Sequence, residues 1–371
     1  MYLEELNIDK LERCFSDLQQ NANSTMLALV AEEELFFVNE MIEFFNFRNV
    51  NVFGGIFPGL VYKGHQKKKG AIIKEIPSAG SPILFEDLSE VDEGMTLMLD
   101  RIKESAKCTA FVFFDGFTTL IKDFLSQTYL KFGTSVNYIG GGTGTSDYIQ
   151  KPSVFTNKGI FQDAAVMCLV TDPMKIAVRH RWDWVAAPSP VPPGPSNWIK
   201  TINWQNAYQV YKEALNEHRV IVKRENLYET AWTYPLGIYR EDHEFILRSP
   251  IQLNKNHELV CLGEVPENSA IYILEANKDS LLQASATAVF ETLKTEIKYS
   301  ASFGAIDYAR SVFLQEAFEE ELMNAHNRIR AKNPASWNFG ALTIGEVASF
   351  PSGSMELFNK SFAIGAFYDH Q

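Results

Sequence analysis

Cysteine is scarce in this chain of 371 residues, and none of its four copies forms a C-x-x-C pair, so the spacing of a zinc or dithiol redox site is missing. Cys14, Cys108, Cys168 and Cys261 stand far apart. Three of them fall in apolar runs (CTAFVFF, VMCLVTD, LVCLGEV), which reads as reduced, buried thiols of an intracellular protein. No apolar run reaches the ~18 residues of a membrane-spanning helix. The opening MYLEELNIDKLERCF has neither the basic start nor the apolar stretch of a secretory signal, and the expected location is the cytoplasm. Positive charge is also short. With 34 Lys and Arg against 46 Asp and Glu, the net charge of −12 repels phosphate backbones and anionic headgroups, so neither nucleic acid nor membrane is an expected partner. H-E-x-x-H, G-x-S-x-G and a Walker loop are all lacking, and no catalytic residue is assigned.

What the chain has in excess is aromatic side chains: 27 Phe, 14 Tyr and 6 Trp, 13% of the residues, enough for large cores, interfaces or cavity walls. At about 150 residues per domain the length predicts two domains. STMLALVA (24–31), an amphipathic helix over 34–47, and NVFGGIFPGLVYKG with GAIIKEIP around an exposed tip HQKKK (65–69) open the pattern. The nearly continuous apolar run CTAFVFFDG (108–116) predicts a strand covered on both faces, and the helical stretch 117–133 and SVNYIGGG complete a β-α-β unit. A strand over 175–185 precedes the Pro-rich APSPVPPGPSN (187–197), which composition alone reads as a linker. Short strands restart after 226, then two helices flank a strand at 299–306, and a strand, a turn at PSGS and a last strand close the chain. The expected class is α/β (α+β): two domains of mixed β-sheets with flanking helices, over 1–225 and 226–371, with no repeat of short period.

The candidate binding residues are polar or glycine positions set in apolar strands. Gly140, Gly141 and Gly142 cost backbone entropy, which a close-fitting partner explains; Thr143 and the following amides offer an anion nest, and a tight turn against a neighbouring strand is the alternative. Asp115 sits at the carboxyl end of a strand, where α/β sheets place ligands, or else caps the next helix. His180 and Trp182 share one face of VRHRWDW, as ligand contacts or as core. Arg240 and Arg248 flank a strand. Glu346, inside ALTIGEVASF, costs several kcal/mol unless a cation or ligand ammonium meets it.

The order of VFGGIFPG, the strand ending Asp115-Gly116, YIGGG and H-x-W, followed by YPLGIY, LRSPI, CLGEVPENSAIYIL, YARSVFLQEAFEEEL and ALTIGEVASF, resembles the N- and C-terminal FIST domains over residues 24–225 and 226–365. Two positions depart from the family pattern. Ile306-Asp307-Tyr308 stands before Arg310 where many relatives carry a Cys, and Arg181-Trp182 replaces the usual G-W. The resemblance implies that 187–197 is a loop inside the first domain. It also implies a stand-alone sensory protein that binds a small molecule, with an amino acid as the candidate, and signals through a separate protein partner. No cofactor is expected in that reading. Some relatives bind haem and sense nitric oxide, which makes His180 the candidate axial ligand of an alternative reading; a hydrolase using Cys108 or Asp115 is a further one.

Overall fold

The computed structural model describes the whole chain except residues 17–22, 105–107, 172–173, 192–196, 240–244, 263–264, 295–297 and 369–371. Arg240, His243, His370 and the centre of the Pro-rich stretch therefore lie outside the described residues. The fold is mixed α/β, in two units: Met1–Val178 with Ser285–Arg310 and Glu316–Gln371, and Arg179–Ala284 with Ser311–Gln315.

The first unit is one module written three times. Module one runs β1 (Tyr2–Leu3), α1 (Ile8–Ser16), β2 (Ser24–Ala31), α2 (Val38–Phe47), β3 (Val52–Phe57), the hairpin β4 (Leu60–Tyr62) and β5 (His65–Lys67), then β6 (Ala71–Pro77). Module two repeats it as β7 (Ile83–Phe85), α3 (Asp92–Glu104), β8 (Cys108–Asp115), α4 (Ile121–Phe132), β9 (Val136–Thr143), β10 (Val154–Thr156), β11 (Gly159–Phe161) and β12 (Ala165–Val170). Module three begins at β13 (Met174–Arg179) and is then interrupted by the second unit.

That second unit contains β14 (Asp183–Pro190), β15 (Trp198–Ile199), the small hairpin β16 (Thr201–Ile202) and β17 (Gln205–Asn206), α5 (Ala207–Glu217), α6 (Leu227–Thr233), β18 (Leu236–Tyr239), β19 (Phe245–Leu253), β20 (Leu259–Leu262) and β21 (Ala270–Glu275). Its sheet, in the order β14-β21-β18-β19-β20-β15, buries Leu236, Ile238, Ile246, Ile271 and Ile273 together with Tyr211 and Leu215 of α5 and Leu227 of α6. Module three then resumes with α7 (Lys278–Thr292), β22 (Tyr299–Asp307), α8 (Tyr308–Leu314), α9 (Ala317–Lys332), β23 (Trp337–Thr343), β24 (Glu346–Ser349), β25 (Met355–Phe358) and β26 (Phe362–Tyr368).

Three six-stranded sheets result, ordered β1-β6-β2-β3-β10-β11, β7-β12-β8-β9-β24-β25 and β13-β26-β22-β23-β4-β5. Each centres on a parallel pair joined through helix (β2/β3, β8/β9, β22/β23), flanked by antiparallel strands. Each module sends its hairpin to a sister sheet. The strand interiors are apolar on both faces because Leu27, Phe53, Phe111, Phe113, Phe303 and Phe339 meet in one shared core, while Met26, Ala28 and Val30 face α1 and α2, and Val112 and Phe114 face α3 and α4.

Equivalent backbone hydrogen bonds fix the correspondence. Ile56 N donates to Ser153 O, Gly142 N to Gly345 O and Leu342 N to Gly59 O, each at 2.9 Å. Gly54, Gly140 and Gly340 consequently occupy one position. A Cβ on any of them would lie 1.7, 1.9 or 2.1 Å from the carbonyl oxygen of Ala28, Val112 or Gly304 on the parallel neighbour. At that spot the side chain must be absent for the strands to approach.

Several local expectations change. HQK is a strand rather than a tip, and the turn is Lys63-Gly64, both at positive φ (51° and 82°). The expected strand 175–185 breaks at 180–182, with Arg181 at φ 51°. The closing segment holds four strands, not two.

Candidate functional site

Ala31, Asp115 and Asp307 end the first parallel strand of their modules, as equivalent bonds from their amides to Gly70, Ala164 and Ser361 carbonyls show. Asp115 is fully buried. Its Oδ1 accepts from Phe117 N (3.0 Å) and its Oδ2 from Asp163 N (2.8 Å) and Gln150 Nε2 (2.7 Å). Asp307 does the same, accepting from Ala309 N at 2.7 Å and Lys360 N at 2.6 Å. Two aspartates with one set of partners in two modules are loop clamps, and α4 starts after Leu120, so Asp115 does not cap it. In the first module Glu34 accepts from Leu6 N and Gly70 N instead.

The glycine run is strand, not turn. Gly140, Gly141 and Gly142 pair with β8 on one side and meet β24 on the other, and a Cβ at Gly141 or Gly142 would lie 2.6 Å from Gly345 O or 2.1 Å from Ile344 O. The amides of Gly142, Gly144 and Ser146 already donate to Gly345 O, Ile56 O and the Glu32 carboxylate. The expected anion nest has no free donor at those three positions. Thr143 is likewise engaged, its hydroxyl donating to Phe114 O (3.0 Å) and meeting Ser153 Oγ at 2.7 Å.

Glu346 differs. It opens β24 opposite Gly141, and the equivalent hairpin positions hold Leu60 and Val154. Two modules fold with an apolar residue there, whereas the third buries a carboxyl completely. Oε1 accepts from the Thr343 hydroxyl (2.9 Å), and Oε2 from Ser361 Oγ (2.7 Å) and Ser361 N (3.3 Å). Burial, and then the nearby Asp307 charge, push its pKa well above the usual carboxylate range. Burial also raises Asp307, and it lowers the Lys360 ammonium to about 7 despite Asp307 beside it. Arg310 grips Glu321 of α9 through Nε and Nη2, both side chains wholly buried, and gives Nη1 to Lys360 O. Arg310 thus meets Glu321 and Lys360 neighbours Asp307, while Glu346 is met by two hydroxyls and an amide. Sequence reading found Glu346 and missed the others, although Asp307 ends an apolar strand just as Asp115 does.

His180, Trp182 and Arg248 belong to the second unit. Both ring nitrogens of His180 face backbone amides, Nδ1 that of Trp182 at 2.9 Å and Nε2 that of Phe245 at 2.8 Å. Whichever tautomer holds, the single lone pair is taken, so the ring as held does not fit an axial haem ligand. Trp182 is buried against Phe313, and Arg248 is buried with Nη1 on Leu247 O (2.8 Å). Burial drives the Cys168 and Cys261 thiols up to about 12, which leaves them poor nucleophiles.

Clefts open to solvent among the described residues include one of about 500 Å³ beside Asn277, Lys278, Asp279, Ser280 and Gln283 and one of about 330 Å³ between Leu88, Ser89, Leu120, Asp123, Ser126 and Gln127. Neither touches a residue singled out from the sequence. No group of His, Cys, Asp and Glu among the described residues has metal-site geometry.

The chain is built of interlocked mixed-sheet modules with a buried polar cluster where strands end, and no described helix is long and apolar enough to cross a membrane. The FIST N domain matches residues 9–205 and the FIST C domain residues 207–349, so the chain belongs to the FIST family, whose domains are signal-transduction sensory domains. No curated protein matches the sequence. The seam between the two family domains, like the 225/226 boundary expected from the sequence, falls inside the second compact unit rather than at its edge.

Proposed function

We propose that this FIST protein is a cytoplasmic sensor of a small amine-bearing ligand, with amino acids the first candidates, and that it signals through a separate protein partner. The observation that carries the reading is the cluster of three buried carboxyls and two cations around Glu346, at a position that the sister modules fill with Leu60 and Val154. A ligand ammonium would take the place of the proton that burial favours on Glu346, the proton leaving to solvent, and burial would strengthen the ion pair so formed. Such a ligand must displace the Thr343 and Ser361 hydroxyls from Glu346, so binding would be coupled to movement of the segments that carry them.

A thermal-shift and calorimetric screen of amino acids and simple amines tests this. A ligand at 100 times its Kd adds about 2.7 kcal/mol to stability. Glu346→Gln, which keeps shape and removes charge, is expected to abolish the shift. A folded protein that responds to none of these compounds overturns the ligand class, as does a shift that survives the substitution.

A further inference from the structure

Glu346 stands where module three leaves its own sheet. Thr343 ends β23, Glu346 begins the hairpin β24–β25 lodged in the second sheet, and Ser361 precedes β26 back in the third. The carboxyl therefore ties three consecutive pieces of chain across the crossing between two sheets, with bonds of 2.7 to 2.9 Å to both hydroxyls. The same crossings in modules one and two, at Leu60 and Val154, have no ionisable group at this position.

We propose that Glu346 is a proton-binding latch: in the closed state it holds a proton, and opening of the hairpin β24–β25 releases that proton to solvent. The hydrogen-bond set accommodates the protonated form. The Ser361 amide can only donate, so it fixes Oε2 as acceptor, while Oε1 can carry the proton and donate to the Thr343 hydroxyl, which rotates to receive it. The groups facing Glu346 favour the same form. Asp307 at the end of β22 is negative; Arg310 of α8 is held by Glu321 of α9; Lys360 neighbours Asp307; Gly141 of β9 and Phe358 of β25, its register partners, carry no charge. The latch does not depend on any ligand.

The sign of the effect separates Glu346 from Lys360. A carboxyl whose pKa is raised in the closed state loses a proton on opening, so opening becomes easier by up to tenfold per pH unit above about 4.5 until the raised value is reached. Lys360, lowered to about 7, is charged in both states below that pH and acts only above it, where it makes opening harder as pH rises. The window from pH 5 to 7 belongs to carboxyls.

Hydrogen exchange of the β24–β25 amides in the full chain, corrected for intrinsic rates, reads the opening. Protection is expected to fall by up to about 100-fold between pH 5 and 7 in the natural protein, to be flat in Glu346→Gln, and to keep its slope in Lys360→Met. Near-ultraviolet circular dichroism confirms that the variants are folded; if Glu346→Gln is not, Glu346→Leu, the residue of module one, takes its place. A flat profile in the natural protein overturns the latch. So does a slope that persists without the Glu346 carboxyl, which would assign the proton to Asp307.

Discussion

A glycine is required where a neighbouring backbone occupies the space of its Cβ, and the three modules provide an internal control for that statement. Gly54, Gly140 and Gly340 each face a carbonyl oxygen at 2.1 Å or less from the ideal Cβ, so alanine at any of them must push a parallel strand away and is expected to cost about 1–3 kcal/mol or more. Gly304 is the contrast. Its equivalents are Ala28 and Val112, and the nearest atom to its ideal Cβ is 3.7 Å away, so Gly304→Ala is expected to be neutral or slightly stabilising through loss of unfolded-state freedom. Midpoints of urea unfolding for the four variants check the pattern, and equal losses at all four positions would refute it. Arg310 and Glu321 supply a second test at this scale. The pair is desolvated on both sides, so Glu321→Gln leaves a buried guanidinium under-compensated and is expected to cost about 3–5 kcal/mol, whereas loss of the solvent-screened pair of Lys10 and Glu5 is expected to cost far less. The same urea midpoints measure the difference; a loss at Glu321 no larger than at Glu5 would mean that the pair is not desolvated in solution.

At the scale of elements, strands covered on both faces were legible because a short unbroken apolar run bounded by polar residues suits a buried strand and little else. STMLALVA is β2 to the residue, CTAFVFFD is β8, and the β-α-β unit of β8, α4 and β9 pairs in parallel as expected. Continuous apolarity erases the period of two that would mark a strand's faces, and it says nothing about which sheet a strand joins. Hairpin exchange was therefore hidden: β10–β11 follows β9 in the chain yet lies in the sheet of β3. The threefold repeat was hidden for the same reason, since the modules share geometry at Gly54, Gly140 and Gly340 but little sequence elsewhere, and the third is interrupted by about a hundred residues. Charge was the better guide to chemistry. Glu346 was found because a carboxyl in an apolar strand must be compensated, whereas Asp115, flagged on similar grounds, is accounted for by the clamp that Asp307 repeats. Lys360 was missed because its left-handed φ of 57° in an ordinary-looking N-K-S turn leaves no trace in sequence.

For the whole molecule, the aromatic excess divides unequally. Of 27 phenylalanines all but Phe245 and Phe313 belong to the three-module unit, and five of the six tryptophans (182, 184, 198, 204 and 232) belong to the inserted one. The cores are separate, Phe53, Phe111, Phe113 and Phe303 serving one and Ile238, Ile246, Ile271 and Tyr211 the other. Exchanged hairpins make each module of the first unit incomplete without its sisters, which predicts one cooperative transition for all three rather than stepwise loss. The inserted unit closes its own sheet and carries most of the indole signal, so it is expected to unfold in a transition of its own, seen by tryptophan fluorescence. Phe113→Ala, in the shared core, is expected to lower the calorimetric transition of the module unit by about 3–5 kcal/mol while leaving the fluorescence transition in place; Ile246→Ala, at about 2–5 kcal/mol, should do the reverse. If both substitutions move a single shared transition by comparable amounts, the two units are thermodynamically one, and a ligand or proton taken up at Glu346 would be coupled to the inserted unit through global stability rather than through a local opening.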